Sequence, residues 1–327
     1  MEFLLTAFLG KPLWMWFAFL VVVAALLAFD LGVLHRKKHE IGVSESLKLS
    51  AFYITVGLAY GGWVWWALGS GAGLDYLTGF VVEKSLALDN VFVIATIFGY
   101  FAVPREYQHR VLFWGILGVI VLRAVMIGVG AALVTRFEWV LYLFAAFLIF
   151  TGIRMLVQSS AEYSVGDNRV LAFVRRKLRV TEDFEGGRFL VRRADPQTGR
   201  IVLHATPLFL ALVLIEFADV IFAVDSVPAI FAITTDPFIV YTSNIFAVLG
   251  LRALYFAVAA MIHRFHYLKY ALAVLLVFIG SKVFVAGALD IEKVPPLLSL
   301  GATFAILGAG IAYSLHRTRS DAKLASS

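Results

Sequence analysis

The chain has 327 residues, 61% hydrophobic and 15% aromatic, with only 15% charged and a mean hydropathy of +0.88. A soluble domain is nearer about 45–50% apolar, so the composition excludes one and points to a polytopic membrane protein. Cysteine is absent, which excludes disulfides, zinc–thiolate sites, iron–sulfur clusters and thiol nucleophiles.

Roughly 20 apolar residues cross a bilayer. Nine such runs follow in chain order, at about 13–34, 50–69, 76–102, 109–133, 138–157, 206–232, 238–262, 267–287 and 295–315. They predict an all-α fold of about nine transmembrane helices. The first run reads as a span rather than a cleaved leader, because Asp30-Leu-Gly follows it instead of a small-residue cleavage site. Lys and Arg alternate between connections. Arg36, Lys37, Lys38 and Lys48 lie after the first run, Arg105 and Arg110 after the third, and nine from Arg169 to Arg200 after the fifth. Arg264 and Lys269 follow the seventh run, and Arg317, Arg319 and Lys323 the ninth. The other connections hold only Lys11, Arg136 and Lys293. The positive-inside rule then places the N-terminus outside and the C-terminus in the cytoplasm. It also accounts for the net charge of +6 and the pI of about 9.5 without a nucleic-acid partner.

Two of the runs carry carboxylates where lipid cannot solvate them. The third contains Glu83-Lys-Ser-Leu-Ala-Leu-Asp89-Asn90, and the sixth Glu216-Phe-Ala-Asp219-Val-Ile-Phe-Ala-Val-Asp225-Ser226. Each acidic residue at mid-bilayer costs at least about 2.5–3.5 kcal/mol, so these positions point to an ion pathway. The two segments also overlay one another. Glu83 and Asp89-Asn90 match Asp219 and Asp225-Ser226, Arg123 matches Arg252, and Gly152-Ile-Arg154 matches Gly280-Ser-Lys282. The offsets are 136, 129 and 128 residues. Because the third run enters from outside and the sixth from the cytoplasm, the blocks are inverted, the build of many secondary transporters. The expected divisions are 1–75 (two peripheral helices), 76–157 (first three-helix repeat), 158–205 (a basic cytoplasmic loop), 206–287 (second repeat) and 288–327 (ninth helix and tail). Within the loop, 170–180 reads as a short basic helix and 188–204 as a hairpin turning at 194–199.

Residues six apart lie about 120° from eclipsed on a helix, so one unbroken face cannot present both Asp219 and Asp225, or both Glu83 and Asp89. Pro228 predicts local unwinding in the sixth run. The candidate metal ligands are Glu83, Asp89, Asn90, Glu216, Asp219 and Asp225, with Ser226, Asn244 and Asp30 secondary. All offer oxygen, which suits Mg, Ca and Mn rather than Cu or Zn. Monovalent cations and protons stay open on residues alone. Arg123 and Arg252 are expected to balance the acidic charge, and Lys84 to neutralise Glu83. The Gly57–Gly61 pair and the glycines at 115, 118, 128 and 130 read as helix-packing residues.

At these motifs the chain closely resembles the TerC family of bacterial integral membrane proteins, Alx-type members in particular. The resemblance rests on the two acidic segments, on Val227-Pro228-Ala-Ile-Phe-Ala, on Thr235-Asp-Pro-Phe-Ile-Val-Tyr-Thr-Ser-Asn244 and on Leu249-Gly-Leu-Arg252-Ala, and it covers most of residues 10–315. Where the family pattern has Glu-Leu-Ser-Asp, this chain has Glu216-Phe-Ala-Asp219. The acids are kept and a hydroxyl is lost. The resemblance implies a bacterial plasma-membrane protein that exports manganese, with Mn2+ as cargo, no resident cofactor and no catalytic residues. Homo-oligomers or the secretion machinery are the protein partners considered beside the metal ion and the bilayer. No nucleotide-binding G-x4-G-K-[ST] motif occurs, so transport would be secondary, by metal/proton exchange. The rival readings are metal delivery to secreted proteins and, remotely, an intramembrane aspartyl protease built on Asp89 and Asp225.

Overall fold

The computed structural model describes residues 2–34, 42–157, 165–166, 168–194, 200–259, 267–291 and 293–324. Helix α1 (Glu2–Leu5) and the tight pair β1 (Ala7–Phe8) and β2 (Lys11–Pro12) lead into α2 (Leu13–Leu34), α3 (Val43–Leu68), α4 (Ser70–Tyr100), α5 (Arg105–Arg136) and α6 (Trp139–Val157). An insert follows, with α7 (Arg169–Lys177) and the antiparallel hairpin of β3 (Leu190–Ala194) and β4 (Ile201–Ala205). Then come α8 (Pro207–Phe231), α9 (Pro237–Val248), α10 (Leu251–Ala259), α11 (Leu268–Ala288) and α12 (Pro296–Leu324). Of the expected hairpin turn at 194–199, residues 195–199 lie outside the described residues, as do the connections 35–41 and 260–266 that carry part of the orientation signal.

Among the described residues six helices are long and apolar enough to cross a membrane: α2, α5, α6, α8, α11 and α12. The α9–α10 pair, bent by 41° at a short break, makes a seventh if it counts as one span. Helices α3 and α4, which complete the expected nine, have 26 and 31 residues but fall outside that set. Helix α4 holds Asp75, Glu83, Lys84 and Asp89, and α3 is rich in Gly, Trp, Tyr and Ser. The polarity that makes α4 interesting is what lowers its hydropathy.

The bundle has an apolar core and, unlike a soluble protein, an apolar exterior as well. On α5, Val121, Val125 and Val129 form a stripe four residues apart, 62%, 60% and 56% exposed, while Val119, Arg123 and Ile127 on the other side are buried. That arrangement puts apolar surface toward lipid and the charge toward protein, as a bilayer demands. Helix α4 is central, against α3, α8, α9 and α12; α5 lies on α8 and α9, and α6 on α11. The insert closes one end. Asn168 caps α7 by accepting from Val170 N at 2.8 Å, Leu171 is buried in the cluster shared with Leu112, Ile116 and Leu208, and Thr206 Oγ1 donates to the Arg188 carbonyl at 2.7 Å.

Helix α8 stays helical through Pro228, where unwinding was expected. The proline lies in its last turn, where the lost amide removes one bond near an end that frays anyway. The break falls instead between α9 and α10.

The α6–α11 contact is set by two glycines. A Cβ on Gly152 would stand 2.6 Å from the Ala273 carbonyl oxygen, and one on Gly280 would stand 2.6 Å from the Ala145 carbonyl oxygen. Small residues at such crossings let backbones approach closely. Gly62 on α3 has nothing within 4 Å of a built Cβ. We therefore expect Gly152→Val to destabilise the protein by about 1–3 kcal/mol, the range for overpacking. Gly62→Ala should be neutral or stabilising by up to about 1 kcal/mol through helix propensity. Thermal melts in detergent distinguish the two; equal effects would contradict the packing.

Candidate functional site

Four helices converge on one side chain. Arg123 on α5 is 1% exposed and faces Glu83 (α4), Asp219 and Ser226 (α8) and Asn244 (α9). Its Nη1 donates to Glu83 Oε1, to Ser226 Oγ at 3.3 Å and to Asn244 Oδ1 at 3.2 Å. Nη2 reaches Asp219 Oδ1 at 3.1 Å and Nε reaches Asp219 Oδ2 at 3.4 Å, a bidentate grip. Asn90 Nδ2 adds a donor to Asp219 Oδ1 at 3.4 Å. Helical spacing explains the assembly: Glu83 and Asn90, like Asp219 and Ser226, are seven apart and fall within roughly 20° on one face. A guanidinium with five donors in a fixed fork can serve several acceptors at once, which an ammonium cannot do in a plane. Asn244 Nδ2 is the one buried atom of the group with no hydrogen-bond partner.

Beside this cluster a small, narrow crevice opens between α4, α5 and α8 and the start of α10. Its lining is apolar (Ile94, Leu112, Ile116, Ile215 and Leu251 among others) except for Asn90 and Asp219. Glu216 stands one turn before Asp219 on α8. Its carboxylate lies over Gly118 of α5, where a Cβ would overlap it, and Oε1 comes 4.0 Å from the position of a Cβ on Gly115, which lines the crevice. Glu216 Oε2 is enclosed and has no hydrogen-bond partner. A carboxylate oxygen left unpaired next to a largely apolar crevice is ready to accept a cation or a proton.

The other sequence candidates lie elsewhere. Asp89, partly exposed, is within electrostatic reach of Lys269 near the start of α11. Asp225 lies close to Thr151 of α6 and within electrostatic reach of Arg154. Asp30 is buried on α2 and takes Arg252: Nη2 meets Oδ1 at 2.5 Å and the Asp30 carbonyl at 2.9 Å, and Tyr53 OH donates to Oδ1 at 3.0 Å. So the six proposed ligands do not all converge: Glu83, Asn90, Asp219 and Glu216 gather around Arg123 and the crevice, while Asp89 and Asp225 turn elsewhere. Among the described residues no group of three or more His, Asp or Glu side chains is arranged to hold a metal ion. The two matched arginines serve different acids, because Arg252 follows the α9–α10 break and is turned toward α2 and α3.

Sequence reasoning passed over three contributors. Tyr53 gave no signal beyond being one more aromatic. Gly118 read as generic packing, although its place opposite an acidic helix could have flagged it. Lys84 was assigned to Glu83, yet its Nζ donates to the carbonyls of Ala247 at 2.9 Å and Leu249 at 3.2 Å.

Comparison with known proteins agrees with the motifs. The description "Integral membrane protein TerC family" matches residues 68–322. A Myxococcus xanthus protein, "Uncharacterized membrane protein STKORF319", is 45% identical over 310 residues, covering 95% of this chain and 94% of its own. An "Uncharacterized membrane protein" of Rickettsia bellii (strain RML369-C) is 44% identical over 302 residues, 92% of this chain and 97% of its own. "Putative membrane-bound redox modulator Alx" of Escherichia coli (strain K12) is 46% identical over 307 residues, 91% of this chain and 92% of its own. No solved structure matches.

The partition of the arginines is testable by double-mutant cycles. Arg123→Gln with Asp219→Asn, and Arg252→Gln with Asp30→Asn, should each show coupling on the order of 0.5–3 kcal/mol, whereas Arg252→Gln with Asp219→Asn should be additive within about 0.5 kcal/mol. Denaturation of the detergent-solubilised variants gives the values. Coupling between Arg252 and Asp219 would contradict the site map.

Proposed function

We propose that this chain, which belongs to the TerC family of integral membrane proteins, is a multi-pass secondary transporter that exports Mn2+ from the cytoplasm across the bacterial plasma membrane. The observation that carries this reading is the Arg123 cluster beside the crevice: Asp219 is held by a side-chain cation, and Glu216, one turn away, keeps an oxygen free. Arg123 occupies the position a transported cation needs. A divalent ion entering the crevice competes with the guanidinium for Asp219, gains Glu216 as second carboxylate and finds an amide oxygen at Asn90. Two carboxylates neutralise its charge, and Arg123 stays paired with Glu83. When the ion leaves, either Arg123 returns or the carboxylates take up protons, which gives exchange with the proton gradient a physical basis. An all-oxygen donor set suits hard divalent ions, and manganese among them comes from the family resemblance.

The inverted-repeat reading has support in the packing. Gly152 meets Ala273 and Val277, Gly280 meets Ala145 and Ile149, and each exchange spans the same 128-residue offset. Helix α4 lies on α9 as α8 lies on α5. Three-helix units 76–157 and 206–287 exchanging contacts in this way suit rocking of one unit against the other, with the site between them. The N-terminus outside and the C-terminus inside complete the topology. A redox role, which the name of the Escherichia coli relative carries, would have to work without thiols here, since no cysteine occurs.

Inside-out vesicles with an imposed pH gradient are expected to accumulate Mn2+ when they contain the wild-type protein. Glu216→Gln and Asp219→Asn should each lower the initial rate by roughly tenfold or more, equivalent to about 1.4 kcal/mol. Asp225→Asn, which changes a group facing α6, should lose less. Absence of flux in the wild type, or a larger loss in Asp225→Asn than in Asp219→Asn, would contradict the proposal.

A further inference from the structure

The break between α9 and α10 is a designed interruption of a membrane helix. Gly250 there has φ +81°, and a Cβ on it would stand 2.6 Å from the Tyr53 Cβ, so both conformation and space require glycine. A break deprives nearby carbonyls of their amide partners, and in a bilayer no water replaces them. Two of these carbonyls, of Ala247 and Leu249, converge on Lys84 Nζ at 2.9 and 3.2 Å. Lys84 follows Glu83 on α4 but points about 100° away from it, so Glu83 serves Arg123 while Lys84 serves the break. The far side of the break is held by Tyr53 and, two residues on, by Arg252 on Asp30.

We propose that the α9–α10 break is a cation site built from the main-chain carbonyls of Ala247 and Leu249, that the Lys84 ammonium is its resident occupant, and that the site accepts a free primary ammonium ion once that side chain is removed. Converging backbone carbonyls replace the hydration shell of a cation, the same physics that selects ions in channel filters. An ammonium adds directed N–H donors, which match the two observed contacts. Lys84 is then a positioning residue: it ties α9, and with it Asn244, to α4, and so fixes one wall of the Arg123 cluster. This inference is independent of the transported ion.

The test uses the purified full-length protein in lipid nanodiscs without Mn2+. Thermal melts of wild type, Lys84→Ala and Lys84→Ser are recorded against methylammonium chloride, with tetramethylammonium chloride at matched ionic strength as control, since that ion has no N–H to donate. Both variants should melt below wild type. Methylammonium should restore about half or more of the lost melting temperature with saturable dependence, as a ligand that binds only the folded state does. Tetramethylammonium should restore none, and the wild type should respond to neither. Should Lys84→Ala fail to accumulate in the membrane, Lys84→Ser decides alone. No recovery, equal recovery with tetramethylammonium, or an equal rise in the wild type would overturn the proposal.

Discussion

A buried arginine that must satisfy two acids from two helices is the constraint around which this bundle is organised. In a bilayer neither Glu83 nor Asp219 can hold its charge without a partner, and Arg123 cannot be left without acceptors. Satisfying all three draws α4, α5, α8 and α9 to one point; α4 and α9 are then enclosed by other helices, and the outward face of α5 must be apolar toward lipid. The stripe of exposed valines on α5, on the side opposite Arg123, is the visible result. A cluster closed by ionic bonds also has two arrangements when a second cation competes for the same oxygens. That bistability is what a transporter requires.

Charge elsewhere in the membrane is handled by the same logic with different partners. Arg252 answers Asp30, Lys293 answers Asp75 at 2.8 Å, Lys84 answers the carbonyls of a broken helix, and Lys282 donates to Ser299 at 2.6 Å. Glu216 Oε2 and Asn244 Nδ2 are enclosed without a hydrogen-bond partner close to the Arg123 cluster, as Arg252 Nε and Nη1 are beside Asp30; of these Glu216 Oε2 alone is a carboxylate oxygen. An enclosed carboxylate oxygen without a donor marks a place where a cation or a proton could arrive, whereas an amide N–H calls for an acceptor instead.

The helical architecture was legible because apolar length alone reports it. The acids pointed to a candidate site because a carboxylate in a hydrophobic run needs a partner, whether structural, as for Asp30 and Asp75, or a bound ion. What the sequence could not deliver was which acid meets which cation. Asp89 and Asp225 belong to the same motifs as Glu83 and Asp219, and a six-residue spacing said only that they cannot share a face with them; it did not say that they turn to α11 and α6. Arg123 and Arg252 look equivalent by offset, yet the break at Gly250 rotates the second one toward α2. Pro228 advertised a break that its place in the last turn of α8 made unnecessary, while Gly250, a single residue in an apolar run, carried the real one. Such outcomes depend on contacts between distant segments, which local pattern does not encode.

The central claim of the proposed function is that Arg123 and a divalent cation compete for the same carboxylate, Asp219. Equilibrium Mn2+ binding to the purified protein, compared between wild type and Arg123→Gln, tests it most directly. Competition predicts that removing the guanidinium tightens Mn2+ binding, by roughly tenfold for each 1.4 kcal/mol of competition removed. Unchanged or weaker binding by a folded Arg123→Gln protein would contradict the account and leave Arg123 as an ordinary structural tie.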